Sequence, residues 1–284
     1  MPVEDQFYDY PDRPVPADKR RTQLNIAVVT TGMAVAMSTL YTGSALAEVM
    51  SYKDGVISIL AGCVILLVIA TLTGNIGADH GVSTSMLARH PFGRKGSNIV
   101  GLILAISMLG WFSYQCGYFG ETISLLLPGH LLTSPVAATI WGGIFMMSTA
   151  IVGYKGMTYL SMAAAPLLLG MCLYCGVMAV AQTGMQTIMS QNPEHPAGIG
   201  IGITIVVGGW ITGAVLQPDI SRYARNRMHN TRGVLMAIIV FAAANWGGFV
   251  IAKATRSSSI MGDELSLFST PEPLKFTHKT PISV

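Results

Sequence analysis

Four side chains that could hold a planar heterocycle recur at helical spacing in LGWFSYQCGYFGET. They are Trp111, Gln115, Tyr118 and Thr122. In an α-helix this spacing puts them on one face. Trp111 offers a flat stacking surface, and the amide of Gln115 offers two donors and an acceptor. The segment therefore suits the face and edge of an amide-containing ring, and the alternative is a Gln hydrogen bond between packed helices.

A second candidate segment, VVGGWITGAVLQPD, is apolar but carries residues that weaken a helix. Gly208 and Gly209 stand directly before Trp210, with Gly213 one turn further on. Backbone polar groups in lipid need internal partners, so a break requires a cavity or a ligand. We predict that this span unwinds at Gly208 and Gly209 to form a binding site. The alternative is that small residues let helices pack closely.

The first apolar run has a matching feature in TTGMAVAMSTLYTG. Gly32 lies in its first half, and the hydroxyl-bearing Ser38, Thr39 and Thr42 follow. Secondary transporters place discontinuous helices at corresponding positions of two inverted repeats. Breaks in the first and sixth runs are the pair that a five-helix repeat predicts.

Composition places these segments in a membrane. Of 284 residues, 51% are hydrophobic and 11% are charged, whereas soluble domains carry about 25% charged residues. An all-α polytopic protein in a lipid bilayer is therefore predicted. The net charge of +3 gives no reason to expect a nucleic-acid partner. Without a metal-ligand cluster or a nucleophile motif, we expect no enzyme activity, no metal site and no cofactor beyond a coupling ion, and no protein partner is indicated.

Hydropathy and charge predict the topology. Seven apolar runs are long enough to cross a bilayer: Leu24–Val49, Val56–Gly77, Ile99–Leu127, Pro135–Val152, Met157–Ala181, Ile199–Leu216 and Gly233–Ile251. With the N-terminus inside, twelve Lys and Arg residues fall in inner loops and only Lys53 in an outer loop before the tail. This obeys the positive-inside rule. We expect a multi-pass protein of the inner or plasma membrane with a cytoplasmic N-terminus.

Four stretches resemble the nucleobase–cation symporters, the purine/cytosine permease family, and within it the bacterial cytosine permeases. They are SMLGWF, STSMLARHPFGRKGS, ISRYARN and the GGW of the sixth run, within a resemblance from about Pro16 to Phe249. The family implies a LeuT-type fold of two five-helix inverted repeats with two further helices. It also implies uptake of a purine, pyrimidine or related cyclic amide, driven by Na⁺ or H⁺.

The resemblance also implies roles for single residues. Trp111 would stack on the substrate, and Trp210 would oppose it. Gln115 would hydrogen-bond the ring amide, Gly209 would offer a backbone group, and Gly213 completes the substrate-binding set. Met108 and Trp210 differ from the residues of cytosine permeases, so the exact base stays open.

The first span would hold the coupling ion. The resemblance implies that its unwound backbone presents carbonyls to Na⁺ at about Gly32 and Val35. Which ion is coupled, Na⁺ or H⁺, stays open at this point.

The resemblance divides the chain into four parts. Residues 1–23 form a polar, disordered cytoplasmic tail, 24–181 a first five-helix repeat, 197–251 two helices of a second repeat, and 252–284 a polar tail unlike the family. The fold is thus expected to be incomplete, with about seven of twelve spans, and without the eighth span that contributes to the substrate site. The tail resembles a truncated or frameshifted end.

Three functional hypotheses follow. The first is a secondary transporter that imports a nucleobase, cytosine or a related purine or pyrimidine, by cation symport, impaired by truncation. The second is a transporter of hydantoin- or allantoin-like cyclic amides. The third is a non-transporting fragment, either a pseudogene product or an assembly partner.

Overall fold

A computed structural model describes Tyr10, residues 13–151 and residues 153–260. Within these residues the regular structure is helical, and the chain forms no strand longer than a single bridge. The helices are α1 Gln23–Ala34, α2 Met37–Val49, α3 Tyr52–His80, α4 Thr84–Leu87, α5 Arg89–Leu126, α6 Pro135–Ile151, α7 Tyr154–Thr183, α8 Met185–Ser190, α9 Ile199–Val215, α10 Gln217–Ser221 and α11 Arg227–Ile260. The all-α prediction is confirmed.

Each predicted apolar run falls on a helix or on a bent pair of helices. The helices α3, α5, α7 and α11 are long and apolar enough to cross a membrane. The pair α1 and α2 passes the same test with a bend of 51° at its break. The helices α6 and α9 are shorter apolar helices. The structure is therefore that of a membrane protein with several spans.

The break in the first span lies at Val35 and Ala36, which both have extended backbone conformations. The Thr39 hydroxyl bridges this break. Its Oγ1 donates to the Ala34 carbonyl across 2.9 Å and lies 3.4 Å from the Ala36 nitrogen. A side chain therefore replaces part of the hydrogen bonding that the helix loses there.

Gly32 lies inside α1, before this break. A Cβ at this position would collide with the side chain of Ser161 on α7. Gly32 therefore lets α1 and α7 approach each other closely, which is the packing role of small residues in membranes.

The predicted break at Gly208 and Gly209 is wrong. Helix α9 continues through both glycines to Val215, and the chain leaves the helix at Leu216. Pro218 at the start of α10 explains this position, because proline fits the first turn of a helix but disrupts its interior. Glycine at 209 serves packing instead, since an added Cβ would lie 3.0 Å from Thr42 Oγ1 on α2.

A buried amide network lies directly after the end of α9. Gln217 Nε2 donates to Thr30 Oγ1 across 3.2 Å and to Asn230 Oδ1 across 3.0 Å. Asn230 Nδ2 donates in turn to Asn75 Oδ1 across 3.0 Å. Gln217, Thr30 and Asn230 are fully buried. The network joins α10 to α1, α3 and α11.

The segment between α3 and α5 also contacts α10. Ser83 caps α4, where its side chain accepts a hydrogen bond from the Met86 N–H. The Thr84 N–H and hydroxyl both donate to Asp219 Oδ2, the N–H across 3.2 Å. Thr84, near the start of the STSMLARHPFGRKGS stretch, therefore links this stretch to α10.

The prediction of a disordered N-terminal tail fails for residues 13–22, whereas residues 1–9 and 11–12 lie outside the described part. The Val15 N–H donates to the Gly81 carbonyl across 2.9 Å, and the Arg21 N–H donates to the Tyr223 carbonyl across 2.6 Å. Backbone pairing with the loops after α3 and α10 orders this segment, a constraint that its polar composition does not reveal.

The boundary predicted at Ile251 falls inside α11, which continues to Ile260. Lys253 is only 2% exposed. Its Nζ donates to the Gln191 carbonyl across 3.2 Å and lies 5.3 Å from the centroid of the Phe249 ring. The first residues assigned to a polar tail therefore belong to the packed helix, and the part of that tail after residue 260 lies outside the described residues.

Candidate functional site

A cavity of about 400 Å³ lies between α2, α5 and α9. It is lined by Ser38, Thr42, Ser107, Gly110, Trp111, Tyr114 and Thr212. The lining combines hydroxyl groups with two aromatic rings and contains no charged side chain. A ligand here would meet a flat apolar surface and several neutral hydrogen-bonding groups.

Local sequence explains why these side chains meet. Helix α2 begins just after the first-span break, and Ser38 and Thr42 are one turn apart on it. On α5, Ser107 lies one turn before Trp111 on the same face. Gly209 lets α9 approach Thr42, which brings Thr212 to the same space.

Aromatic side chains border the cavity on the α5 side. The rings of Trp111 and Tyr114 meet edge to face, with centroids 5.9 Å apart. The hydroxyls of Tyr114 and Tyr118 are 2.6 Å apart. Tyr41 of α2 packs against both tyrosines at centroid distances of 6.1 and 5.4 Å. These contacts hold Trp111 beside the space in which a ring could stack.

Gln115 lies one turn beyond Trp111 but is not among the residues that line the cavity. It is half-buried, and its Oε1 is buried without a hydrogen-bond partner among the described residues. Its hydrogen bond to a substrate amide therefore stays a prediction.

The structure places Trp210 in the core, away from the lining of the cavity. Its indole is 5% exposed and packs on Phe241, with centroids 6.1 Å apart. An added Cβ at Gly213 would lie 2.5 Å from Trp210 Nε1, so the indole lies over that glycine. In this structure Trp210 does not oppose Trp111 across the cavity. Substrate contacts of Trp210, Gly209 and Gly213 stay predictions.

The predicted ion ligands lie at and near the first-span break. Val35 is in the extended segment, and its N–H donates to the Thr31 carbonyl across 2.9 Å. The N–H that would continue the helix onto the Gly32 carbonyl is that of Ala36, which faces Thr39 Oγ1 instead. The ion-binding role of these carbonyls stays a prediction. Among the described residues, no group of three or more His, Cys, Asp or Glu side chains could hold a metal.

Sequence reasoning missed Ser107, Tyr114 and Thr212 as lining residues. Helical spacing from Trp111 could have found the first two, because Ser107 is four residues before it and Tyr114 three residues after it. Thr212 could not be found in this way. It is two residues after Trp210 and so lies on a different side of α9, whereas the prediction placed Trp210 on the side that faces the site.

A bent first span with a polar cavity beside it is an arrangement found in secondary transporters. The model of a family of permeases for cytosine/purines, uracil, thiamine and allantoin matches residues 14–265. The chain belongs to this family, the nucleobase–cation symporters.

Curated relatives and solved structures agree with the family. A cytosine permease of Escherichia coli K12 is 28% identical over 91% of this chain and 60% of its own length. A hydantoin permease of Microbacterium maritypicum is 27% identical over 84% of this chain and 50% of its own length. The structure of Mhp1, a nucleobase–cation symport-1 family transporter with bromovinylhydantoin bound, matches with a TM-score of 0.68 at 25% identity. The match covers 86% of this chain and 55% of Mhp1.

These matches confirm the LeuT-type arrangement of the helices. They also show that the chain spans about half to three fifths of the length of these relatives.

Proposed function

We propose that this chain binds a neutral nucleobase, cytosine or a related purine or pyrimidine, and that it acts in import by cation symport. The observation that carries this proposal is the cavity in which Trp111 stands among uncharged hydroxyl groups beside the first-span break. Family membership supports the same substrate class. The division of the chain into one five-helix repeat and the start of a second is part of the proposal.

The lining of the cavity favours a neutral ligand. A charged group loses strong hydration on entering such a space and needs an opposite charge to replace it. The seven lining residues provide none. A neutral ring loses less hydration, and it gains stacking on Trp111 and hydrogen bonds from hydroxyl groups.

We propose Na⁺ as the coupling ion, held by the carbonyls of Gly32 and Val35. The extended conformation at Val35 supports this, because it interrupts helical hydrogen bonding next to the cavity. Proton coupling at the cavity would require a group that titrates near neutral pH, and the lining contains no carboxylate or histidine. Binding that follows pH and ignores Na⁺ would replace this part of the proposal.

We also propose that the N-terminus is cytoplasmic, in the inner or plasma membrane. Arg20 Nη1 donates to the Ala78 carbonyl across 3.0 Å, at the end of α3. The same atom lies 3.4 Å from the carbonyl of Ala224. The predicted inner loops therefore gather at one end of the helices, as the positive-inside rule requires.

A hydantoin-type cyclic amide is the second candidate substrate. The similarity to Mhp1 with its bound hydantoin favours it. Such a ring is also planar and neutral, so the same cavity would suit it.

Competition binding on the purified full chain in lipid nanodiscs tests both candidates. Radiolabelled cytosine should bind saturably and be displaced by uracil or by a hydantoin, and the stronger competitor identifies the preferred ring. A carboxylated ring such as orotate should fail to compete. Absence of saturable binding for every neutral ring would refute the proposed function. Saturable binding without uptake in proteoliposomes would support the non-transporting alternative.

A further inference from the structure

Three hydroxyl groups from three different helices line the cavity, and none has a hydrogen-bond partner among the described residues. They belong to Ser38 on α2, Ser107 on α5 and Thr212 on α9. Across residues 13–151 and 153–260, no hydrogen bond engages any of these three side chains. We call the side-chain hydroxyls of Ser38, Ser107 and Thr212 the hydroxyl triad.

Other hydroxyl groups on the same helices are already used. Ser113 Oγ on α5 donates to the Leu109 carbonyl, and Thr204 Oγ1 on α9 donates to the Gly200 carbonyl, each across 2.9 Å. This bond to the preceding turn is the usual way for a helical Ser or Thr to satisfy its proton. The hydroxyl triad differs, and its O–H groups are left to interact with whatever occupies the cavity.

Thr42 differs from the triad because its hydroxyl proton already has an acceptor. Its Oγ1 donates to the Ser38 carbonyl across 2.9 Å, so its single proton is already used. Toward the cavity Thr42 can therefore only accept a hydrogen bond. A complementary ligand must offer at least one N–H there.

We infer that the hydroxyl triad binds the edge of the substrate ring while Trp111 stacks on its face. This inference rests on the proposed function. A hydroxyl rotates to donate or to accept, so the triad fits a neutral ring whose edge mixes C=O and N–H groups. With the acceptor of Thr42, it specifies cyclic amides and ureides that retain an N–H. Recognition by rotating hydroxyls also predicts similar affinities for cytosine and uracil, which exchange donor and acceptor positions.

Variants of the purified full chain test the triad in the cytosine-binding measurement. Ser38→Ala, Ser107→Ala and Thr212→Val should each raise the Kd for cytosine about 3- to 10-fold, the usual effect of losing one neutral hydrogen bond. Thr212→Ser, which keeps the hydroxyl, should stay within about twofold of the unmodified chain. Ser113→Ala and Thr204→Val are matched controls on the same helices, and both should bind as the unmodified chain does.

The outcomes separate the triad from the proposed function. If the unmodified chain binds cytosine and the triad variants bind it as tightly as the control variants, the triad inference is overturned and the proposed function stands. If the unmodified chain binds no neutral ring, both fail together. Unchanged binding in Thr212→Val would overturn the role of the Thr212 hydroxyl, because valine keeps the size of threonine but cannot make the hydrogen bond.

Discussion

The amide of Gln217 donates to Asn230 Oδ1 across 3.0 Å and joins the short helix α10 to the last span, α11. Gln217 Nε2 also lies 3.2 Å from Thr30 Oγ1 on α1. Gln217, which follows the end of α9, is thus held from two sides in a fully buried place. These two hydrogen bonds fix the start of α10 against α1 and α11.

Replacing Gln217 by Leu should destabilise the protein. The change removes two hydrogen bonds and leaves buried groups of Thr30 and Asn230 with fewer partners, at a cost of about 1–3 kcal/mol. Thermal unfolding in lipid nanodiscs measures the effect. Gln186→Leu, at an exposed position on α8, is the control. Equal unfolding temperatures for both variants would contradict a stabilising network.

Gly77→Ala should destabilise the contact between α3 and α10. An added Cβ would lie 2.6 Å from Pro218 Cα, where backbone rather than a flexible side chain must move. Overpacking of this kind costs about 1–3 kcal/mol.

The control for this contact is Gly101→Ala on α5, where an added Cβ meets nothing within 4 Å. Because alanine favours helix by about 1 kcal/mol, this control should unfold at the same or a higher temperature. A stable Gly77→Ala variant would show that α10 does not need this close approach.

Lys253→Glu should be strongly destabilising. Lys253 is buried, with its ammonium group on the Gln191 carbonyl and near the face of the Phe249 ring. Both groups attract a cation and repel a carboxylate, so a glutamate would lose the partners that Lys253 has in this buried place. Lys53→Glu, at an exposed position, should change the unfolding temperature little. Similar unfolding temperatures for both variants would rule out a structural role for Lys253.

Cytosine binding should tighten when NaCl replaces choline chloride at constant ionic strength. Occupation of the proposed ion site beside α2 favours the conformation that binds substrate, and linkage requires that cytosine strengthen Na⁺ binding equally. A Kd that depends on pH between 5 and 8 but not on Na⁺ would contradict the Na⁺ assignment.

The spans were predictable because lipid imposes a simple length and composition on each helix. All seven runs fall on helices. The end of the seventh run was nevertheless placed too early, because α11 continues through the buried Lys253. Its charge suggested a polar tail, whereas packing against Phe249 and Gln191 keeps it inside the bundle. The hydropathy of the sequence cannot distinguish a buried lysine from an exposed one.

The cavity was only partly predictable. Helical spacing selected the face of α5 that carries Trp111, and hydroxyl groups marked the start of α2. The position of Trp210 could not follow from sequence, because it depends on which side of α9 meets Phe241. The glycines at 208 and 209 predicted an unwound segment. Sequence alone, however, cannot distinguish a glycine that unwinds a membrane helix from one that lets two helices pack closely.

The most direct test of the central claim compares two tryptophan variants in cytosine binding. Trp111 lines the cavity, whereas Trp141 lies on α6 and donates its Nε1–H to the Leu132 carbonyl. Trp111→Ala should raise the Kd for cytosine by about 5- to 100-fold, the effect of losing base stacking on an aromatic ring. Trp141→Ala should leave it unchanged. Equal affinities in the two variants would show that the base does not bind in this cavity.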